Sequence, residues 1–227
     1  MLKNANKLPQ MLKTPQVQPY YEALKRRKIS RFFKRSIDIF AAVVLIILLA
    51  VPMLIIAVMI KLDSKGPVVF KQLRVTKYGK TFKILKFRSM KTDAENAGPL
   101  VTVGEDTRIT RVGKKLRKLR LDELPQIFHV LSGKMSLVGT RPEVPHYVEQ
   151  YTPEMYATLL LPAGITSLAS IMFKDEDDLL ANVANPDDEY VNVVLPKKMK
   201  YNLEYIEQFS VGRDVKLLFK TVKDVIF

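Results

Sequence analysis

Residues 39–60 read IFAAVVLIILLAVPMLIIAVMI, a run of twenty-two residues without a charge. As a helix at 1.5 Å per residue it would reach about 33 Å, the thickness of the hydrocarbon core of a bilayer. Buried helices of soluble proteins rarely stay apolar on every face for such a length, so the segment is read as membrane-embedded. Thirty-eight residues precede it and no small-residue cleavage site follows, which sets aside a secretory signal. Arg26, Arg27, Lys28, Arg31, Lys34 and Arg35 lie before the run, and Lys61, Lys65, Lys71, Arg74 and Lys77 after it. Positive charge on both flanks does not orient a single crossing and places both ends on the cytoplasmic side. Pro52, just past the middle, lacks the N–H that a helix needs and clashes with the preceding turn. The expectation is a re-entrant helix-break-helix that enters and leaves one leaflet, with a kinked single span as the alternative.

Charge divides the chain. Lys plus Arg number 37 against 23 Asp plus Glu, a net +14, and the excess is confined to one half. Residues 1–60 carry +8, residues 61–120 carry +12 and residues 121–227 carry −6. A cationic half points to an anionic partner, and flanks beside the apolar run attract anionic headgroups by about 1 kcal/mol per residue. Cysteine is absent, which removes disulfides, thiolate nucleophiles, zinc clusters and iron–sulfur ligation.

Residues 1–20, with Pro9, Pro15 and Pro19, read as a mobile leader. Residues 21–62 read as a basic helix feeding the membrane segment, and residues 63–227 as a cytoplasmic domain at the membrane interface. Within that domain, Val68-Val69-Phe70 and residues 81–87 flank Tyr78-Gly79-Lys80 as a hairpin of two short strands. Residues 92–107 are polar loop. Apolar spacing from 110 to 131 predicts two helices meeting near Leu121 or Asp122, since Pro125 is tolerated only in a first turn. Further helices are expected over 153–161, 197–208 and 212–227, the last with Val215, Leu218, Phe219, Val222 and Ile226 on one face. The fold class is α+β, mostly helical.

Chemistry concentrates in Arg117-Lys118-Leu119-Arg120-Leu121-Asp122-Glu123-Leu124-Pro125-Gln126. Two adjacent carboxylates stand at a helix start, directly after a dense cationic stretch. Free N–H groups at such a start favour anions, phosphate included, although an acidic first turn that merely stabilises a helix looks the same. Lys86-Phe87-Arg88-Ser89-Met90 follows a strand, and Arg141 sits between Gly139-Thr140 and Pro142. Arginine offers a planar fork that matches phosphate oxygens.

Together these pieces resemble the bacterial sugar transferase family, the small monotopic phosphoglycosyl transferases, from about Lys34 to Phe227. The resemblance rests on the basic lead into a Pro-broken apolar segment, Phe70-Lys71-Gln72-x-Arg74, Gly79-Lys80-x-Phe82, Lys86-Phe87-Arg88-Ser89-Met90, Asp106-x-Arg108-Ile109-Thr110-Arg111-Val112-Gly113, Leu121-Asp122-Glu123-Leu124-Pro125-Gln126, and Met135-Ser136-Leu137-Val138-Gly139-x-Arg141-Pro142. It implies transfer of a sugar 1-phosphate from a UDP-sugar to polyprenyl (undecaprenyl) phosphate in the bacterial inner membrane, the first step of surface-glycan synthesis, with UMP released. By motif, Asp122 would be the nucleophile and Glu123 a ligand of Mg²⁺. Lys86, Arg88, Arg117 and Arg141 would neutralise phosphate. Membrane lipids are implied as partners, and a homodimer is allowed. Residues 154–161 and 212–227 would be amphipathic helices lying in the interface. The chain departs from the family pattern at Thr140, where Pro is usual, and in Pro162-Ala163-Gly164-Ile165-Thr166-Ser167-Leu168-Ala169-Ser170-Ile171-Met172-Phe173, which lacks the usual Arg, Trp and Asn-Gly-Arg.

Two rival readings have weaker support. Asp175-Glu176-Asp177-Asp178 contains the Asp-x-Asp spacing of metal-dependent glycosyltransferases, without the βαβ context such enzymes need. The basic half could serve a membrane-tethered binder of anionic lipid or nucleic acid. No nucleic-acid motif is recognisable, however, and no aromatic residues interleave with the basic runs, so no nucleic-acid partner is expected. His129 and His146 favour neither reading.

Overall fold

The structure, a computed structural model, describes residues 2–92, 106–174, 176–180, 183 and 185–226. It is mostly helical. The helices are α1 (Gln18–Arg26), α2 (Lys28–Asp63), α3 (Arg111–Lys118), α4 (Ile127–Ser132), α5 (Pro145–Val148), α6 (Leu168–Met172), α7 (Glu176–Leu179), α8 (Pro186–Glu189), α9 (Leu195–Glu207) and α10 (Val211–Ile226). Two pairs of strands complete it. β1 (Val69–Thr76) and β2 (Lys80–Phe87) form the expected antiparallel hairpin, with Val69 opposite Phe87 and Thr76 opposite Lys80. Its turn places Tyr78 and Gly79 at φ of 63° and 71°, a left-handed pair that glycine accepts readily and tyrosine rarely. β3 (Met135–Val138) and β4 (Ala163–Thr166) run parallel, a pairing absent from the sequence reading because neither strand exceeds four residues.

The helix α2 continues through Pro52, where the sequence leads one to expect a break between two helices. Proline removes one hydrogen bond, to the Leu48 carbonyl. Packing on both sides of it holds the remaining turns in register. Lys34, Asp38, Ala42, Met53, Ile56 and Ile60 form a buried stripe along the helix, at the three- and four-residue spacing of one face. Its first half joins the main core through Ala42, Leu45, Ile46 and Leu49. Its second half builds a smaller core of Met53, Ile56 and Ile60 with Phe87 and Leu116. The opposite face exposes Phe40, Ile47, Leu48, Val51, Leu54 and Leu62. Each such side chain gains roughly 1.5–3 kcal/mol on leaving water, and nothing in the described protein covers them.

The leader is packed, contrary to the mobile segment expected. Leu8, Leu12 and Val17 are buried in the main core. The Lys3 amide donates to the Tyr78 hydroxyl at 2.8 Å, and Tyr20 donates to Glu154 at 2.7 Å. Proline and polar residues mark the segment as irregular, but three well-spaced apolar residues suffice to dock it against the hairpin turn. The predicted helix over 153–161 is instead a 3-10 turn, Met155–Leu160, with Ala157, Thr158, Leu159 and Leu160 buried. Core packing wins there over an interfacial position. In α10, Asp214 and Leu217 are buried while Val215, Phe219 and Val222 are exposed, so this helix does carry an outward apolar face. The loop expected over 92–107 lies largely outside the described residues.

Candidate active site

Three elements converge on the paired carboxylates. After β2, the chain turns back to seat α3: the Thr110 amide donates to the Ser89 carbonyl at 2.9 Å, and Thr110 caps the helix by accepting from the Gly113 amide at 3.0 Å. A Cβ on Gly113 would lie 2.0 Å from the Ser89 oxygen, so only glycine permits this approach. Beyond α3, Arg120 adopts φ 54° and the chain enters a 3-10 turn, Leu121–Gln126, that leads into α4. The two expected helices therefore do meet here, through a tighter turn that buries Asp122 and Glu123.

Glu123 is clamped. The Arg141 guanidinium reaches it as a fork, Nη2 to Oε1 at 2.5 Å and Nη1 to Oε2 at 3.2 Å. Lys86, one residue from the end of β2, donates to Oε1 at 3.2 Å. Burial pushes the Glu123 carboxyl up, but Arg141 and Lys86 outweigh it and hold the group well below the usual carboxylate range. Arg141 is pushed up in turn, chiefly by Glu123. Lys86 is pushed down by burial, against the pull of Glu123. Among the described residues, no hydrogen bond or ion pair ends on Asp122. Burial pushes its carboxyl above the ordinary value, with Lys86 opposing and Glu123 adding to the rise.

Both carboxylates line a cavity of about 700 Å³, with Lys86, Arg88, Arg117 and Arg141 also on its wall. The six residues singled out from sequence thus share one cavity, and Lys86 and Arg141 bind the Glu123 carboxylate directly. Arg88 is buried and binds the end of α2, its Nη2 donating to the Ser64 carbonyl at 2.6 Å and hydroxyl at 2.9 Å. The charge on Arg117 acts on Asp122 and favours its ionised form.

A second polar network, missed from sequence, occupies another part of the wall. Tyr190 donates to Glu143 at 2.7 Å, and Lys198 donates to Tyr190 at 3.0 Å and to Glu176 at 2.8 Å. Arg74 donates to the Pro142 carbonyl at 3.2 Å, next to Arg141. Arg74 stood inside a recognisable motif and Glu143 beside one, whereas Tyr190 and Lys198 lay in segments without a motif. Of the Asp-x-Asp stretch, only Glu176 has a described side chain, and its partner is Lys198. Asp175 and the side chains of Asp177 and Asp178 lie outside the described residues.

No cluster of three or more His, Asp or Glu side chains able to hold a metal occurs among the described residues. The Asp122–Glu123 pair nevertheless suits a hard divalent ion that takes one or two carboxylates and completes its shell with phosphate oxygens and water. Among the described residues, the Asp122 oxygens have no hydrogen-bond partner and Glu123 Oε2 has one, Arg141. Two carboxylates alone would leave most of such an ion's shell to other oxygens.

A bacterial sugar transferase family model matches residues 29–227. The chain belongs to the bacterial sugar transferase family. Over 202 residues it is 42% identical to the UDP-N-acetylgalactosamine-undecaprenyl-phosphate N-acetylgalactosaminephosphotransferase of Aeromonas hydrophila, covering 87% of this chain and 44% of that protein. Over 198 residues it is 38% identical to the UDP-glucose:undecaprenyl-phosphate glucose-1-phosphate transferase of Klebsiella pneumoniae, covering 86% of this chain and 40% of the relative. With the exopolysaccharide production protein PSS of Rhizobium leguminosarum it shares 37% identity over 83% of this chain and 92% of that protein. The chain thus spans less than half the length of the first two relatives, and the family match begins only after α1. The packed leader lies before the matched region.

Proposed function

We propose that this sugar transferase family member moves a sugar 1-phosphate from a UDP-sugar to polyprenyl phosphate, releasing UMP and leaving a polyprenyl diphosphate sugar. The observation that carries the reading is a division of labour between neighbouring carboxylates. Glu123 is locked by Lys86 and Arg141, while Asp122, one residue away, has no partner among the described residues and lies at the wall of a cation-rich cavity. A carboxylate nucleophile must be ionised, unobstructed and surrounded by enough positive charge to approach an anionic diphosphate.

In the first step an Asp122 oxygen attacks the phosphorus that bears the sugar. The bond from that phosphorus to the bridging oxygen breaks, UMP departs with the electron pair, and the phosphosugar is held as an acyl phosphate on Asp122. In the second step a polyprenyl phosphate oxygen attacks the same phosphorus and frees the carboxylate. Lys86 and Arg141 hold Glu123 and offset the charge that collects on the phosphates, and Arg117 favours ionised Asp122. A Mg²⁺ ion bound at Glu123 and the diphosphate would neutralise the leaving group.

The same reading places the protein at the inner membrane, with the catalytic domain on the cytoplasmic face where a UDP-sugar is available. Support comes from α2, whose two ends are tied to one polar body. Lys34, Arg35 and Asp38 bind β3, α4 and α10, and Asp63 accepts from the Val112 amide of α3 at 3.0 Å. A helix crossing the bilayer would carry its ends to opposite faces, so these ties favour a helix that dips into one leaflet. Names of relatives point to surface polysaccharide as the destination of the product.

The test is UMP release from a panel of UDP-sugars with polyprenyl phosphate and Mg²⁺, followed by mass spectrometry of the protein after exposure to UDP-sugar alone. A phosphosugar adduct on the peptide containing Asp122 is expected. Absence of UMP release from every donor by well-folded protein in membranes would defeat the reading, and an adduct on another residue would defeat the assignment of Asp122.

A further inference from the structure

The sheet formed by β3 and β4 has two strands, so the outer edge of β3 pairs with no strand among the described residues. That edge is fully buried, and buried backbone groups without partners are costly. The membrane helix supplies the partners. Asp38 Oδ1 accepts from the Leu137 amide at 3.1 Å, and Oδ2 accepts from the Ser136 hydroxyl at 2.7 Å. One turn earlier, Lys34 donates to the Val138 carbonyl at 2.9 Å. Two charged side chains of α2 thus bind the backbone of β3 directly, one at an amide and one at a carbonyl.

The other edge of β3 continues the ladder toward the active site. The Gly139 amide donates to the Thr166 carbonyl at 3.0 Å, and the Gly164 amide to the Thr140 carbonyl at 2.9 Å. A Cβ on Gly164 would come within 2.1 Å of the Gly139 nitrogen, so the two segments lie too close for either to shift alone. Arg141 is the next residue, and its guanidinium holds Glu123. The path from Asp38 to the Glu123 carboxylate therefore runs through four consecutive residues, 137–140, each held by a hydrogen bond to its backbone.

Resting on the phosphoglycosyl transferase reading above, we infer that Asp38 is a positioning residue of the active site: from within the membrane helix it fixes β3 and thereby sets the reach of Arg141 to Glu123. It touches no reacting atom. Seating of α2 and geometry of the carboxylate pair are consequently linked, so the site is assembled by the same helix that anchors it. Small displacements of catalytic groups cost large factors in rate.

The experiment is a double-mutant cycle between Asp38→Ala and Arg141→Lys, with Asp38→Asn as the conservative variant, read as UMP release by full-length protein in membranes. Asp38→Ala is expected to lower kcat about tenfold in the wild-type background and less than about twofold beside Arg141→Lys, because the path it serves is already cut. Asparagine keeps an acceptor for the Leu137 amide and should recover most of the loss. Hydrogen exchange supplies a readout besides activity: Asp38→Ala should speed amide exchange over 135–142 and 121–126 and leave the β1–β2 hairpin unchanged. Equal losses in both backgrounds, or unchanged exchange over 121–126, would overturn the inference. If Asp38→Ala does not fold, Ser136→Ala takes its place in the same cycle, with additivity again the overturning result. A wild-type protein that releases no UMP counts against the proposed activity instead, and the exchange measurement still decides the positioning role.

Discussion

Two buried charge clusters, about one strand apart, use the same residue types to opposite ends. At the anchor, Lys34, Asp38, Asp214 and Tyr205 are closed among themselves and the backbone. Lys34 pairs with Asp214 at 2.6 Å, Tyr205 donates to Asp214 at 2.7 Å, and both Asp38 oxygens are occupied. At the active site, Glu123 is equally well held, but Asp122 beside it has no partner among the described residues and faces a cavity of about 700 Å³. The Gln126 side-chain nitrogen, in the same 3-10 turn, is also buried with no partner among the described residues. A satisfied polar cluster makes structure, and an incomplete one is poised for a ligand.

The comparison can be broken most sharply at Asp122. Replacing it with Asn should reduce UMP release by about a thousandfold or more, as removal of a nucleophile does, while the protein becomes slightly more stable. The sign follows from the raised carboxyl: the native state resists the charge that Asn lacks, so the melting temperature at pH 7 should rise. A fall in stability with activity retained would mean that Asp122 belongs to the structural kind of cluster. Arg141→Ala should come next, with kcat down about a hundredfold, since it strips Glu123 of its fork and leaves Lys86 as the remaining direct partner. Comparable kcat with a raised KM alone would reassign Arg141 to simple substrate binding.

At the anchor the expected effects fall on stability. Lys34→Ala leaves Asp214 buried without its cation and should cost about 3–5 kcal/mol in denaturant unfolding, whereas replacing Lys34 and Asp214 together by Met and Leu should recover most of it. Failure of the double replacement to recover would show that the Val138 carbonyl contact dominates. A smaller effect is expected at His129, whose Nε2 accepts from the Leu85 amide at 3.1 Å and whose ring packs edge-on against Phe82 at 5.1 Å. Burial lowers its proton affinity, so the unfolded chain binds the extra proton more readily. Stability should therefore be complete above about pH 6.5 and decline as the pH falls below it. In His129→Gln, which retains an acceptor, this part of the pH dependence of the melting temperature should disappear.

How much of this was legible beforehand depended on the range of the interaction. The hairpin was readable because Gly79 and the flanking alternation lie within one short window. The meeting of helices at Leu121 was readable because Pro125 restricts its own turn. The leader was misread because prolines describe the local backbone and say nothing of Leu8, Leu12 and Val17 finding a distant core. Arg88 shows the same limit: its motif marked it for phosphate, yet its described hydrogen bonds go to the end of α2, a segment twenty-four to twenty-eight residues earlier.

By itself, the sequence determined that the chain carries a long apolar helix, that a cationic half leads into an acidic one, and that Asp122 and Glu123 stand side by side at the junction. These are properties of composition and short-range order, set by hydropathy, proline geometry and turn chemistry. Only the tertiary structure decided which cations reach Glu123, since Lys86 lies thirty-seven residues before it and Arg141 eighteen residues after. It also decided that two charged residues of α2 would bind the backbone of β3. Such partnerships depend on which distant segments packing brings within hydrogen-bonding reach, and a side chain's identity carries no address for its partner.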